Sequence, residues 1–201
     1  MKPIDGRSCT AFRGQELLAT GRMVDVALAA KTWLDKHPKT KVLIFDDENG
    51  HQIEFDFRGG EEKFLSRLKD MIGADSRATE PEAKTGPGRP KLGVVSREIG
   101  LLPRHWEWLG RQPEGASAAL RKLVEDAQKK YAAGDELRRL QDSVQRFMTA
   151  MAGDLPNYEE VLRAFYAKDR TKYSKLMGDW PKDVRDHAMK IAKPVFMDSK
   201  A

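Results

Sequence analysis

The spacing of apolar positions divides the chain into four stretches of different character. Thr10 to Thr20 is strand-like, and Gly21 breaks it. Met23 to Lys36 then takes a helical period, with Val24, Ala27, Leu28 and the Lys31 to Leu34 turn on one stripe. Lys41 to Phe45 is an apolar run of strand length. Asn49-Gly50 follows it, a dipeptide suited to a type I′ hairpin because both central residues of that turn need positive φ. Ile53, Phe55 and Phe57 alternate with Glu54 and Asp56 and predict the return strand. Glu61 to Met71 places Phe64, Leu65 and Leu68 on one side of a helix. The order β-α-β-β-α predicts a small domain over 1–72, a three-stranded sheet with two helices packed on one face.

Residues 73–93 hold Gly, Pro and charged side chains with no apolar period, and predict a flexible basic linker. Val94 to Leu102, VVSREIGLL, alternates again: Val95, Arg97, Ile99 and Leu101 share one face, and Ser96, Glu98, Gly100 and Leu102 share the other. Pro103 stops this strand and suits the first turn of a helix that carries His105, Trp106, Trp108 and Leu109. Pro113, Glu114 and Gly115 interrupt it. Ser117 then caps a second helix lined by Leu120, Leu123, Val124 and Ala127. This strand-helix-helix unit spans 94–131. The remainder, 132–201, reads as helical. Leu137, Leu140, Val144, Phe147, Met148 and Met151 form one stripe, ended by Gly153. A helix follows from Pro156 through Tyr166, and a last one opens at Trp180-Pro181 and ends near Pro194. The fold class expected is α+β.

Charge changes this picture in one place. Residues 1–83 hold 13 basic and 15 acidic side chains, 84–131 hold 10 and 5, and 132–201 hold 13 and 11. The basic excess therefore sits on the linker and the strand-helix-helix unit, which points to a polyanion partner. No apolar run is long enough to span a membrane, and the N-terminus lacks the apolar core of a secretory signal. Cys9 is the single cysteine and has no partner for an internal disulfide, which suits a reducing cytoplasm.

No catalytic constellation emerges, so an enzyme is not expected, and no cofactor or metal is called for. The histidines His37, His51, His105 and His187 lack metal-ligand spacing. His187 stands four residues after Asp183 and predicts a helical surface ion pair. Asp46-Asp47-Glu48 is a carboxylate cluster beside a turn, where acidic residues are ordinary. Ser8-Cys9 has no nucleophile elbow around it, and Gly86-Pro-Gly88 leads into no phosphate loop.

Ile99-Gly100-Leu101, the turn Gly115-Ala116-Ser117 and the helix from Leu120 to Val124 follow one another in the order seen in ribbon-helix-helix proteins, which the segment resembles. One strand and two short helices cannot bury their apolar side alone, so the resemblance implies an obligatory homodimer. Ile99, Leu101, Trp106, Leu109, Leu120, Leu123 and Val124 would form its interface. It also implies that the outer ribbon face, here Ser96, Glu98 and Gly100, meets double-stranded DNA. Arg97, Arg104, Ser117, Arg121 and Lys122 are further candidate contacts. Glu98 can only accept a hydrogen bond, from cytosine N4, and repels phosphate. Upstream, Gly86-Pro-Gly-Arg-Pro-Lys91 resembles an AT-hook core, which implies Arg89 and Lys91 in a narrow minor groove.

Over most of its length the chain resembles a bacterial family of domains of unknown function, numbered 2239. The residues concerned are Val42-Leu-Ile-Phe-Asp-Asp47, Gly88-Arg-Pro-Lys-Leu-Gly93, Ser96-Arg-Glu98 through Leu101-Leu-Pro-Arg-His-Trp-Glu-Trp-Leu109, and Trp180-Pro181. That resemblance implies no activity. The expectation is a dimeric DNA-binding protein, a transcriptional regulator or nucleoid-associated factor. The alternative is a non-catalytic dimeric adaptor, with 1–72 or 132–201 holding a protein partner.

Overall fold

The computed structural model describes residues 6–78 and 97–197, with side chains described over 6–72 and 97–197. The stretch expected as one strand over 10–20 is a hairpin of two, β1 (Ser8–Arg13) and β2 (Glu16–Arg22), paired from Ser8↔Arg22 to Arg13↔Glu16. Gly14, at φ +59°, makes the turn. Strand-type residues stand on both sides of that glycine, so composition alone does not reveal the reversal. Helix α1 (Met23–Lys36) has the predicted bounds, and β3 (Val42–Asp46) pairs antiparallel with the far edge of β1.

The sheet is thus three-stranded and antiparallel, in the order β2-β1-β3, but its strands are not those expected. Residues 53–57 form no strand. Residue 53 contributes an Ile53 N–H to Ile44 C=O bond of 2.7 Å, and just before it Gln52 makes an isolated bridge with Phe45. The inward alternation of the segment is nonetheless real. Phe55 and Phe57 pack on Phe64 of α2 (Glu61–Ala78), with the Phe57 and Phe64 rings 5.3 Å apart. Aromatic contact with α2, rather than a ladder, holds them. Helix α2 also runs on to Ala78, into the stretch expected as linker.

Both faces of β1 are covered. Cys9 and Ala11, with Ile44, pack on Met23, Val26 and Ala30 of α1. Phe12 and Phe45 pack instead on the C-terminal helices: α4 (Ala116–Ala152), α5 (Tyr158–Tyr166), α6 (Arg170–Leu176) and α7 (Lys182–Met197). Phe147 is the centre of this contact, 5.5 Å from Phe12 and 5.2 Å from Phe45. Residues 1–72 and 132–201 were expected as separate domains, yet the stripe Val144, Phe147, Met148 and Met151 is buried against the sheet. Truncating one such aromatic costs about 3–5 kcal/mol. Pro194 does not end α7, which continues to Met197 with the proline inside it.

Two compact units result: residues 1–80 with 136–201, and residues 81–135. The second contains α3 (Pro103–Gly110), with Pro103 in its first turn as expected, and the first part of α4. Gly115, at φ +79°, separates the two helices. Helix α4 begins at Ala116, so Ser117 lies in its first turn rather than capping it. Residues 97–102, the described part of the strand expected over 94–102, form no ladder within one chain.

Candidate functional site

The segment 97–135 holds most of the predicted contact residues. Arg97, Glu98, Arg104, Ser117, Arg121 and Lys122 are all exposed. Ser96, Arg89 and Lys91, and with them the AT-hook-like stretch, lie outside the described residues. Arg97, Arg104, Arg121 and Lys122 form no ion pair among the described residues. The cations of the other unit are often paired: Arg13 with Glu16, Arg22 with Asp25 and Arg163 with Glu160. Residues 97–135 carry seven basic and six acidic side chains, so the local basic excess belongs mainly to Lys84, Arg89 and Lys91 upstream.

The apolar residues expected at a dimer interface divide sharply. Leu109 is buried at 2% exposure, and Leu101 and Leu120 are half-buried. Ile99 (59%), Trp106, Leu123 and Val124 (54%) stand in solvent, as do Leu102, Trp108 and Tyr131. Leu109 is the only buried residue among 97–135. A chain segment with one buried side chain has no core of its own.

A second constellation is partly buried, and it joins elements far apart in sequence. Asp46, at the end of β3, accepts hydrogen bonds from the Glu48 N–H (2.8 Å) and Asn49 Nδ2 (3.1 Å), and lies 3.6 Å from Arg7 Nη1. Asp47 accepts from Ser8 Oγ at 2.8 Å and Thr10 Oγ1 at 2.7 Å. His187 Nε2 and Lys190 Nζ of α7 each stand 3.9 Å from Asp47. The expected surface pair of His187 with Asp183 does not form, because Asp183 instead accepts the Leu17 N–H at 2.8 Å. His187 is buried, its ring 4.5 Å from that of Phe147. Burial pushes its pKa down to about 4; the Asp47 carboxylate opposes this and Lys190 adds to it.

Chemically this cluster is a clasp. Each carboxylate has several partners, and Asp47 joins β1 to α7. Cys9, next to it, is fully buried, and burial with the Asp46 and Asp47 charges pushes its thiol up to about 12. Such a thiol is inert. Sequence reasoning noticed Asp46-Asp47 but missed Arg7, Thr10 and Lys190, whose partners are fixed only when β1 and α7 meet β3.

An open cleft of about 530 Å³ lies where the Asn49–Gln52 loop meets α4, edged by His51, Gln52, Asp142, Gln145, Arg146 and Thr149. Its volume is in the range of small-molecule sites. Arg146 serves the loop itself, donating from Nη1 to the Asn49 carbonyl at 2.8 Å. Among the described residues no three His, Cys, Asp or Glu side chains cluster as a metal site. No helix among them is long and apolar enough to cross a membrane.

The fold defines a mixed α+β protein, mostly helical, built on a small three-stranded antiparallel sheet. The chain belongs to the family described as "Uncharacterized protein conserved in bacteria (DUF2239)", whose model matches residues 8–192. No curated protein and no solved structure matches it.

Proposed function

We propose that this chain is a DNA-binding protein acting as a dimer, a transcriptional regulator or nucleoid-associated factor without catalytic activity. The observation that carries the reading is the unfinished state of residues 97–135. Most of their large apolar side chains are exposed, residues 97–102 form no strand ladder among the described residues, and their arginines carry no ion pairs among the described residues. In a ribbon-helix-helix arrangement, pairing of 94–102 with its copy would satisfy the backbone. Arg89 and Lys91 beside that ribbon would take the phosphates or the minor groove. Arg97, Arg104, Arg121 and Lys122 would add phosphate contacts.

The test is a mobility-shift titration of the full chain on duplex DNA across a salt series. Affinity should fall steeply as salt rises, with a log–log slope of about −3 to −5 if four or five phosphates are neutralised. Reversing Arg89 and Lys91 to glutamate should flatten the slope by about 2. Absence of any retarded complex at low salt would end the DNA reading.

The near balance of charge over 97–135 and the exposed Glu98 favour a second reading, a dimeric adaptor that holds a protein through residues 1–72 or 132–201. Recovery of protein partners from nuclease-treated lysate, with no retention on immobilised DNA, would select it.

A further inference from the structure

Helix α4 leads two different lives. From Leu137 onward its apolar residues pack into the core with the sheet. From Arg121 to Glu136, sixteen consecutive residues, every position is exposed. That stretch is not polar all round. Leu120, Leu123, Val124, Ala127 and Tyr131 recur at i, i+3, i+4, i+7 and i+11, which is one stripe along a helix. Arg121, Lys122, Glu125, Asp126, Lys129 and Lys130 flank the stripe and never interrupt it. A lone amphipathic helix in water is marginal unless its stripe is covered.

We infer that α4 is the seam of the homodimer: the stripe Leu120–Tyr131 pairs with the same stripe of a second copy, carrying the contact along the helix past Val124 to Tyr131. The inference rests on the dimeric reading above and names the surface that reading needs. Area favours a second copy as the occupant. Seven large side chains, Ile99, Leu102, Trp106, Trp108, Leu123, Val124 and Tyr131, are each about half exposed. At roughly 200 Å² per side chain they present on the order of 700 Å² of apolar surface, close to the ~800 Å² that one partner contributes to a standard interface. Identity of the two partners adds the rest. The backbone at 97–102 lacks a ladder, and the same segment of a second copy supplies one by two-fold symmetry. Stripe and unpaired segment are then covered by one symmetric act.

Sedimentation velocity on the full chain tests this, with V124E, Y131E and I99E as variants and far-ultraviolet circular dichroism as the folding control. All three side chains are exposed in a single chain, so each variant should keep the wild-type helicity. Wild type should sediment as a dimer, twice 22.7 kDa. V124E and Y131E should each weaken dimerisation by about 30-fold or more, the equivalent of about 2 kcal/mol. A monomeric wild type at about 100 µM, a concentration that populates even weak dimers, overturns the inference. So does a V124E protein that dimerises like wild type while I99E does not, since the ribbon alone would then hold the dimer. A wild-type dimer that V124E dissociates but that binds no duplex supports the seam and removes only the DNA reading.

Discussion

Gly50 offers the sharpest test of the packing between the sheet and α4. It sits at φ +69°, and a Cβ added there would lie 2.1 Å from the Ser143 carbonyl oxygen, 2.8 Å from its carbon and 2.9 Å from its Cα. All three atoms are backbone of a helix, so no rotamer change relieves the clash. The Asn49–Gln52 loop must lift from α4, and the Arg146 bond to the Asn49 carbonyl must stretch with it. Gly50→Ala should therefore pay twice: roughly 1–2 kcal/mol for a left-handed alanine and roughly 1–3 kcal/mol for overpacking. A total near 3 kcal/mol lowers the Tm of a protein this size by about 6–12 °C. Gly14→Ala is the matched control, because Gly14 has φ +59° and nothing within 4 Å of an added Cβ. It should cost only the backbone share, about 1–2 kcal/mol. Urea unfolding of both variants separates dihedral strain from collision. If Gly50→Ala proves no worse than Gly14→Ala, the close approach of the loop to Ser143 is wrong.

Other expectations follow from the clasp and from α4. His187 prefers to be neutral in the fold, so the unfolded chain binds the proton more readily. Its contribution is complete above pH ~6.5 and is lost as pH falls toward about 4, for a total of about 3 kcal/mol. Unfolding free energies measured from pH 7 to 4 should show this slope in wild type and a flatter one in His187→Gln; equal slopes would remove His187 as the cause. The Cys9 thiol, fully buried and pushed up to about 12, should resist a disulfide reagent at pH 8 until the protein unfolds, whereas rapid native labelling would contradict its burial. Gly134 sits inside α4 with nothing within 4 Å of an added Cβ. Gly134→Ala should therefore stabilise the helix by about 1 kcal/mol and slow amide exchange around it about fivefold; faster exchange would show a need for glycine there.

Much of the secondary structure was legible in the chain because helices and strands are local. The stripe from Val144 to Met151, the bounds of α1 and the start of α3 at Pro103 follow from spacing and from residues that cannot continue an element. The hairpin at Gly14 was hidden because the two-residue turn Gly14-Gln15 carries a single turn-type residue between two strand-like stretches. The segment from Ile53 to Phe57 had the right face but no strand. Its pairing with the outer edge of β3 stops after the Phe45–Gln52 bridge and the Ile53 bond to Ile44, and Phe55 and Phe57 turn to Phe64 of α2.

The candidate sites divide the same way. Composition alone placed the basic excess on 84–131 and the apolar stripe on 120–127, since both are properties of neighbours in sequence. Only the tertiary structure decided that Asp47 serves Ser8, Thr10, His187 and Lys190, and that Asp183 serves the Leu17 backbone. Such contacts cross 37 residues or more and form only when the chain closes on itself. Tertiary structure also decided which apolar residues remain uncovered. Periodicity marks a face as apolar, but burial depends on what lies opposite, and Leu123, Val124 and Tyr131 stay about half exposed among the described residues.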